Sequence, residues 1–143
     1  MKISEHYLGY PKKTLIVVTN NELAKIFGAE EKEVEEIAVL KAVEVEPEER
    51  RSGGSNSAPQ DIDEIKRHGR YELYKRLSKK LTQLTKSEYE EIVLCAPEAF
   101  KNDIMESMHT DIQNIVNEVV PKNLASLELD QIIRILQEKR PVA

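Results

Sequence analysis

The sequence predicts a single α/β domain on a mixed sheet, and three observations carry that expectation. β-branched runs come first, and helical and strand patterns then alternate to the C-terminus. The run Glu91-Ile92-Val93-Leu94-Cys95-Ala96 is almost wholly apolar, as a central parallel strand buried on both faces requires. The chain's 143 residues suffice for one core and are too few for two.

Residues 1–13, with Tyr7, Tyr10 and Pro11, read as an irregular lead-in to a domain spanning 14–137. Thr14-Leu15-Ile16-Val17-Val18-Thr19 is a strand pattern, and Asn20-Asn21 is turn chemistry because Asn tolerates the left-handed conformation. Glu22 to Phe27 reads as a second, antiparallel strand; a helix over 21–27 would be cut short by Gly28. From Val34 to Val45 the apolar positions are Val34, Ile37, Val39, Val43 and Val45, and the part Ile37–Val45, rich in β-branched residues, reads as a third strand. These three strands form a meander.

Pro47 closes it. Residues 47–60 lack any large apolar side chain and cannot offset their ordering entropy by burial, so a mobile Gly/Ser-rich loop is expected there. Asp61 or Asp63 then caps a helix with the stripe Ile62, Ile65, Gly69, Leu73, Leu77, Leu81 and Leu84. Gly69 within it costs about 1 kcal/mol relative to Ala. After the strand at 91–96, Pro97 and Glu98 open a helix carrying Phe100, Ile104 and Met108. Ile112 to Val120 reads as a short strand, Leu127 to Gln137 as a terminal amphipathic helix, and 138–143 as a tail.

The net charge of −5 is unevenly distributed: residues 1–60 carry −3, residues 61–86 carry +4, and residues 87–143 carry −6. A basic helix on an acidic body is either a footprint for RNA or an acidic partner, or simply a solvated face. No apolar run approaches the roughly 20 residues that span a bilayer, and MKISEHYLGYPKK lacks the apolar core of a secretory leader. A lone cysteine, Cys95, allows no internal disulfide. A soluble, cytoplasmic protein without a membrane partner is expected.

Candidate chemistry is sparse. His6, His68 and His109 lie in unrelated segments without metal-ligand spacing. Cys95 ends a buried strand, where cysteine is usually an inert small hydrophobe. No nucleophile elbow, Walker loop or dinucleotide fingerprint occurs, and the acids Asp61, Asp63, Asp103, Asp111 and Asp130 look like caps and surface positions. No catalytic residue, metal or cofactor is expected. The one feature with latent chemistry is Ser52–Gln60, whose paired glycines permit close backbone approach to a phosphate or carbonyl.

In order and spacing, the segments Thr14–Val18 with Ala24–Phe27, Ser52-Gly53-Gly54-Ser55, Ile92–Phe100 and Ile115–Leu129 resemble the bacterial host attachment protein family, bacterial relatives of archaeo-eukaryotic class I release factors. Ile92-Val93-Leu94-Cys95-Ala96-Pro97-Glu98-Ala99-Phe100, similar to the family's strand-to-helix turn, is the strongest piece. The resemblance implies an RNase H-like three-layer α/β fold. In class I release factors a Gly-Gly-Gln loop between strand and long helix reaches the peptidyl-tRNA ester; here Gly53-Gly54 is followed by Ser55, and the next glutamine is Gln60. A non-enzymatic host-attachment-like binding domain is therefore expected, with a ribosome- or tRNA-associated factor hydrolysing peptidyl-tRNA through Gly53-Gly54 as the alternative. Either partner, protein or ribosome/tRNA, would be met by Arg50, Arg51, Ser52, Gly53, Gly54, Ser55 and Gln60 on the loop, and by Lys66, Arg67, Arg70, Lys75 and Arg76 on the helix. An RNase H-like nuclease would need an acidic cluster that the sequence lacks.

Overall fold

The β-branched run Thr14–Thr19 is buried along its whole length and forms most of strand β1 (Tyr10–Thr19). The computed structural model describes residues 1–42, 62–86 and 88–140. β1 begins at Tyr10, so the lead-in is shorter than expected. The lead-in is also pinned: Ile3 is buried and its N–H donates to the Lys32 carbonyl, and Lys2 bridges Glu33.

Strand β2 (Leu23–Glu31) returns antiparallel to β1, from Thr19 opposite Ala24 to Tyr10 opposite Glu31. The turn between them uses a different device from the one expected. Among the described residues Glu31 is the only non-glycine with positive φ, so Asn20 and Asn21 are not left-handed. Asn20 Oδ1 instead accepts the N–H groups of Glu22 (2.8 Å) and Leu23 (2.9 Å), a side-chain mimic of a backbone turn.

Strand β3 (Glu33–Lys41) pairs antiparallel with β2 and starts four residues before the expected Ile37; Val43 and Val45 lie outside the described residues. Ile26 pairs with Ala38 and Phe27 with Glu36, leaving Ile37 as a bulge residue. The bulge reverses which face later residues occupy. Val34 packs on one side of the sheet, whereas Ile37, Ala38, Leu40 and Ala42 pack on the other and Val39 is left exposed. Val39 is therefore not a core position, contrary to its place in the apolar pattern.

Helix α1 (Ile62–Thr85) leads to strand β4 (Glu91–Cys95), which lies parallel to β1 with Thr14 opposite Glu91 and Val18 opposite Cys95. Pro97 begins a turn rather than a helix; helix α2 (Lys101–Glu106) follows. The segment expected as one strand, 112–120, divides into helix α3 (Thr110–Ile115) and strand β5 (Val116–Val120). His109 caps α3, its Nδ1 accepting the Asp111 N–H, so a helix start precedes the β-branched run. Helix α4 (Leu129–Glu138) is closed at its N-terminus by a reciprocal capping box between Glu128 and Gln131.

The sheet order is β3-β2-β1-β4-β5, with β1, β4 and β5 parallel and β2 antiparallel to its neighbours, so the fold is mixed α/β. Alternation along β1 and β4 builds two cores. Leu15, Val17, Ile92 and Leu94 meet Leu73, Leu77 and Leu81 of α1 with Ile104 and Ile112. Ile16, Val18, Val93 and Cys95 meet Ile132, Ile133 and Leu136 of α4 with Ile3 and Tyr10. α1 is thus fixed on one sheet face with one side left for other work. No helix of the described residues is long and apolar enough to cross a membrane.

Candidate functional site

Of the twelve residues expected at a binding site, Arg50, Arg51, Ser52, Gly53, Gly54, Ser55 and Gln60 lie outside the described residues. Lys66 and Arg67 are described only by their place in the first turns of α1. Arg70, Lys75 and Arg76 are described in full, and the helix sends them to different environments. Successive helical residues turn by about 100°. Arg70 therefore lies on the side of Leu77 and Leu81, and Lys75 on the opposite side.

The Arg70 guanidinium stands 5.3 Å from the Tyr71 ring and 5.1 Å from the Phe100 ring, a cation held between two aromatic faces. The Arg76 guanidinium donates to the Lys41 carbonyl at the end of β3. Both arginines fasten α1 to the rest of the fold. Lys75 is exposed.

The exposed side of α1 carries Lys75, which was expected at the site, together with Lys79 and Lys86, which were not singled out from the sequence. Lys75, Lys79 and Lys86 stand at i, i+4 and i+11, within an arc of roughly 40°. That spacing was legible: it is the complement of the Leu73–Leu77–Leu81–Leu84 stripe. Between His68 and Lys86 there are six Lys or Arg and one acid, Glu72. The three lysines border a shallow groove of about 430 Å³ whose floor includes Ser78 and Thr82 and whose far wall is the α2–α3 connection. That wall is tied down, since the His109 N–H donates to Ser78 Oγ over 3.1 Å. His109 Nδ1 is already an acceptor, so the neutral ring carries its proton on Nε2.

Tyr71, one turn before Lys75, is 43% exposed on the same side. Its ring is held edge-on to Tyr74, with centroids 5.7 Å apart at 86°, and by Arg70. Tyr74 is buried, its hydroxyl donates to Asn21 Oδ1 over 2.8 Å, and burial pushes its pKa up to about 12. Burial likewise pushes the Cys95 thiol up to about 12, with a smaller contribution from Glu118. Neither group is a nucleophile or acid–base catalyst at neutral pH. A second concavity, lined by Glu30, Glu33, Glu35, Glu88 and the Tyr89 ring, is acidic where the α1 groove is basic. No set of three or more His, Cys, Asp or Glu side chains is grouped for a metal among the described residues. The arrangement suits electrostatic and stacking contacts.

A family model described as bacterial archaeo-eukaryotic release factor family 12 matches residues 13–136. No curated protein sequence matches the chain. Among solved structures, the crystal structure of the archaeal translation termination factor aRF1 is similar over 75% of this chain, at 15% identity and a TM-score of 0.50. The match spans 29% of that longer chain, so the likeness concerns the fold of one part of it.

Proposed function

The chain belongs to bacterial archaeo-eukaryotic release factor family 12, and on that premise we propose that it acts in translation as a ribosome- or tRNA-associated factor. The family match across residues 13–136 is the observation that carries this reading. The matched description is that of release factors and does not include host attachment, so the expected host-attachment role gives way to the alternative named beside it.

Two finer readings go with it. The fold is RNase H-like, supported by an antiparallel meander continued by parallel strands with helices on both sheet faces. Any peptidyl-tRNA hydrolysis would use Gly53-Gly54, where small residues allow the backbone to approach an ester. Ser55 lacks the amide that Gln supplies in the Gly-Gly-Gln loop, which favours binding without rapid hydrolysis.

Cosedimentation with ribosomes at about 50 mM and about 200 mM salt tests the central reading, because phosphate-dominated binding weakens steeply over that range. Pelleting that falls with salt is expected, and no pelleting at either salt overturns it. Peptide release from ribosome-bound peptidyl-tRNA, compared between the natural chain and Gly53→Ala/Gly54→Ala, then separates a binding factor from a hydrolase.

A further inference from the structure

We propose that the exposed side of α1 is a binding site for a single-stranded RNA segment, with one base stacked on Tyr71 and the following phosphates over Lys75, Lys79 and Lys86. The proposal rests on the translation reading for its biological setting, but its evidence is local.

Three features converge. Lys75 and Lys79 on the side of α1 opposite the leucine stripe, and Lys86 directly after its last residue, line one groove as a row about 16 Å long. A linear row of ammonium groups matches a strand of evenly repeated charges. The Ser78 hydroxyl adds a donor on the groove floor and the His109 imidazole lines the far wall, while the Thr82 hydroxyl is taken up by the Ser78 carbonyl at 2.9 Å. Tyr71 supplies an exposed aromatic face at one end, and its ring is already immobilised by Tyr74 and Arg70. A basic track with a preset aromatic platform is how proteins hold single-stranded nucleic acid. An acidic peptide would use the lysines but would have no need of a rigid exposed ring.

The net charge of −5 makes the location decisive. The chain as a whole repels RNA, so binding must be concentrated where basic residues are segregated.

Fluorescence anisotropy with a fluorescein-labelled RNA of about a dozen mixed-sequence nucleotides is the test. Lys75→Gln/Lys79→Gln/Lys86→Gln is compared with Lys2→Gln/Lys122→Gln/Lys139→Gln, which removes the same charge elsewhere on the surface. The first variant is expected to lose at least about 30-fold in affinity, and the slope of log K against log salt is expected to fall by about 2, since each single-strand phosphate contact contributes about 0.7. Tyr71→Ala is expected to lose about 10-fold and Tyr71→Phe very little, because stacking needs the ring and not the hydroxyl. All these side chains are exposed, and circular dichroism with thermal melts verifies folding.

Equal loss in the two lysine variants, an unaffected Tyr71→Ala, or displacement of RNA by polyglutamate as readily as by unlabelled RNA would each overturn the site. The two readings fail separately. Ribosome pelleting that persists unchanged in the Lys75/Lys79/Lys86 variant removes the groove and leaves the translation role. RNA binding lost in that variant, with no ribosome pelleting by the natural chain, keeps the groove and removes the role.

Discussion

The Tyr74 hydroxyl and the Asn21 side-chain oxygen, 53 residues apart in sequence, share a hydrogen bond of 2.8 Å that ties the middle of α1 to the β1–β2 turn. Tyr74→Phe removes the donor while keeping the ring, and is expected to cost about 1 kcal/mol at neutral pH. The hydroxyl ionises near 10 when unfolded and near 12 when folded. The stability it contributes is therefore complete below pH 10 and is lost as pH rises from 10 to 12. Melting curves of the two proteins should draw together across that window, and a gap that stays constant through it would contradict the assignment.

Arg70 and Arg76 are basic in sequence but structural in place, the first between Tyr71 and Phe100 and the second on the Lys41 carbonyl. Arg70→Gln/Arg76→Gln is expected to destabilise the fold by about 2 kcal/mol through lost cation–π and charge-assisted contacts. Denaturant titration measures it. The salt dependence of RNA binding should change far less than in the Lys75/Lys79/Lys86 variant.

Cys95 sits at the end of β4 with no exposed surface and a thiol raised to about 12. At about pH 8 the native protein should react with a thiol reagent orders of magnitude more slowly than the denatured chain, because the thiolate is the reacting species. Stopped-flow labelling gives both rates. Equal rates would place Cys95 at an accessible surface.

Gly9 and Gly28 both lie in tight surroundings, yet their alanine variants should differ. Gly9 has φ 78°, and a Cβ there would fall on the Glu31 carbonyl oxygen, which is backbone. At Gly28 the first obstacles are the Tyr89 hydroxyl at 2.5 Å and the Ile37 Cδ1 at 3.0 Å, both ends of side chains rather than backbone. Gly9→Ala is expected to cost about 3 kcal/mol and Gly28→Ala about 1 kcal/mol. Reversal of that order in a chemical melt would refute the account.

The strands whose burial repeats regularly were legible: Thr14–Thr19 and Glu91–Cys95 stand where alternation and apolar runs placed them. Elements whose outcome turns on one backbone irregularity were not. The bulge at Ile37 leaves no trace in residue type, so Val39 looked like a core position and Leu40 did not. Ile112 and Ile115 stand at helical spacing, but the β-branched run that continues from Ile115 to Val120 masks it, and the start of the helix rests on the His109 cap, a contact through a ring nitrogen. At the candidate site residue type carries charge but not direction. Counting basic residues drew attention to Arg70 and Arg76, whereas Arg70 shares the angle of the leucine stripe and Arg76, on the flank of the helix, is drawn to the Lys41 carbonyl, which leaves Lys75, Lys79 and Lys86 outward.

β1 joins two kinds of pairing, and this sets an order of assembly. Its partner β2 follows after a turn of three residues, while its partner β4 meets it with Thr14 opposite Glu91, 77 positions away. Closing a long loop carries an entropic cost that the adjacent hairpin avoids, and pairings distant in sequence form slowly. The meander is therefore expected to form first and wait, one side of β1 unpaired, for the C-terminal half to arrive. During synthesis that half emerges last, so the six β-branched and apolar residues Thr14–Thr19 are the stretch that a holding chaperone would shield.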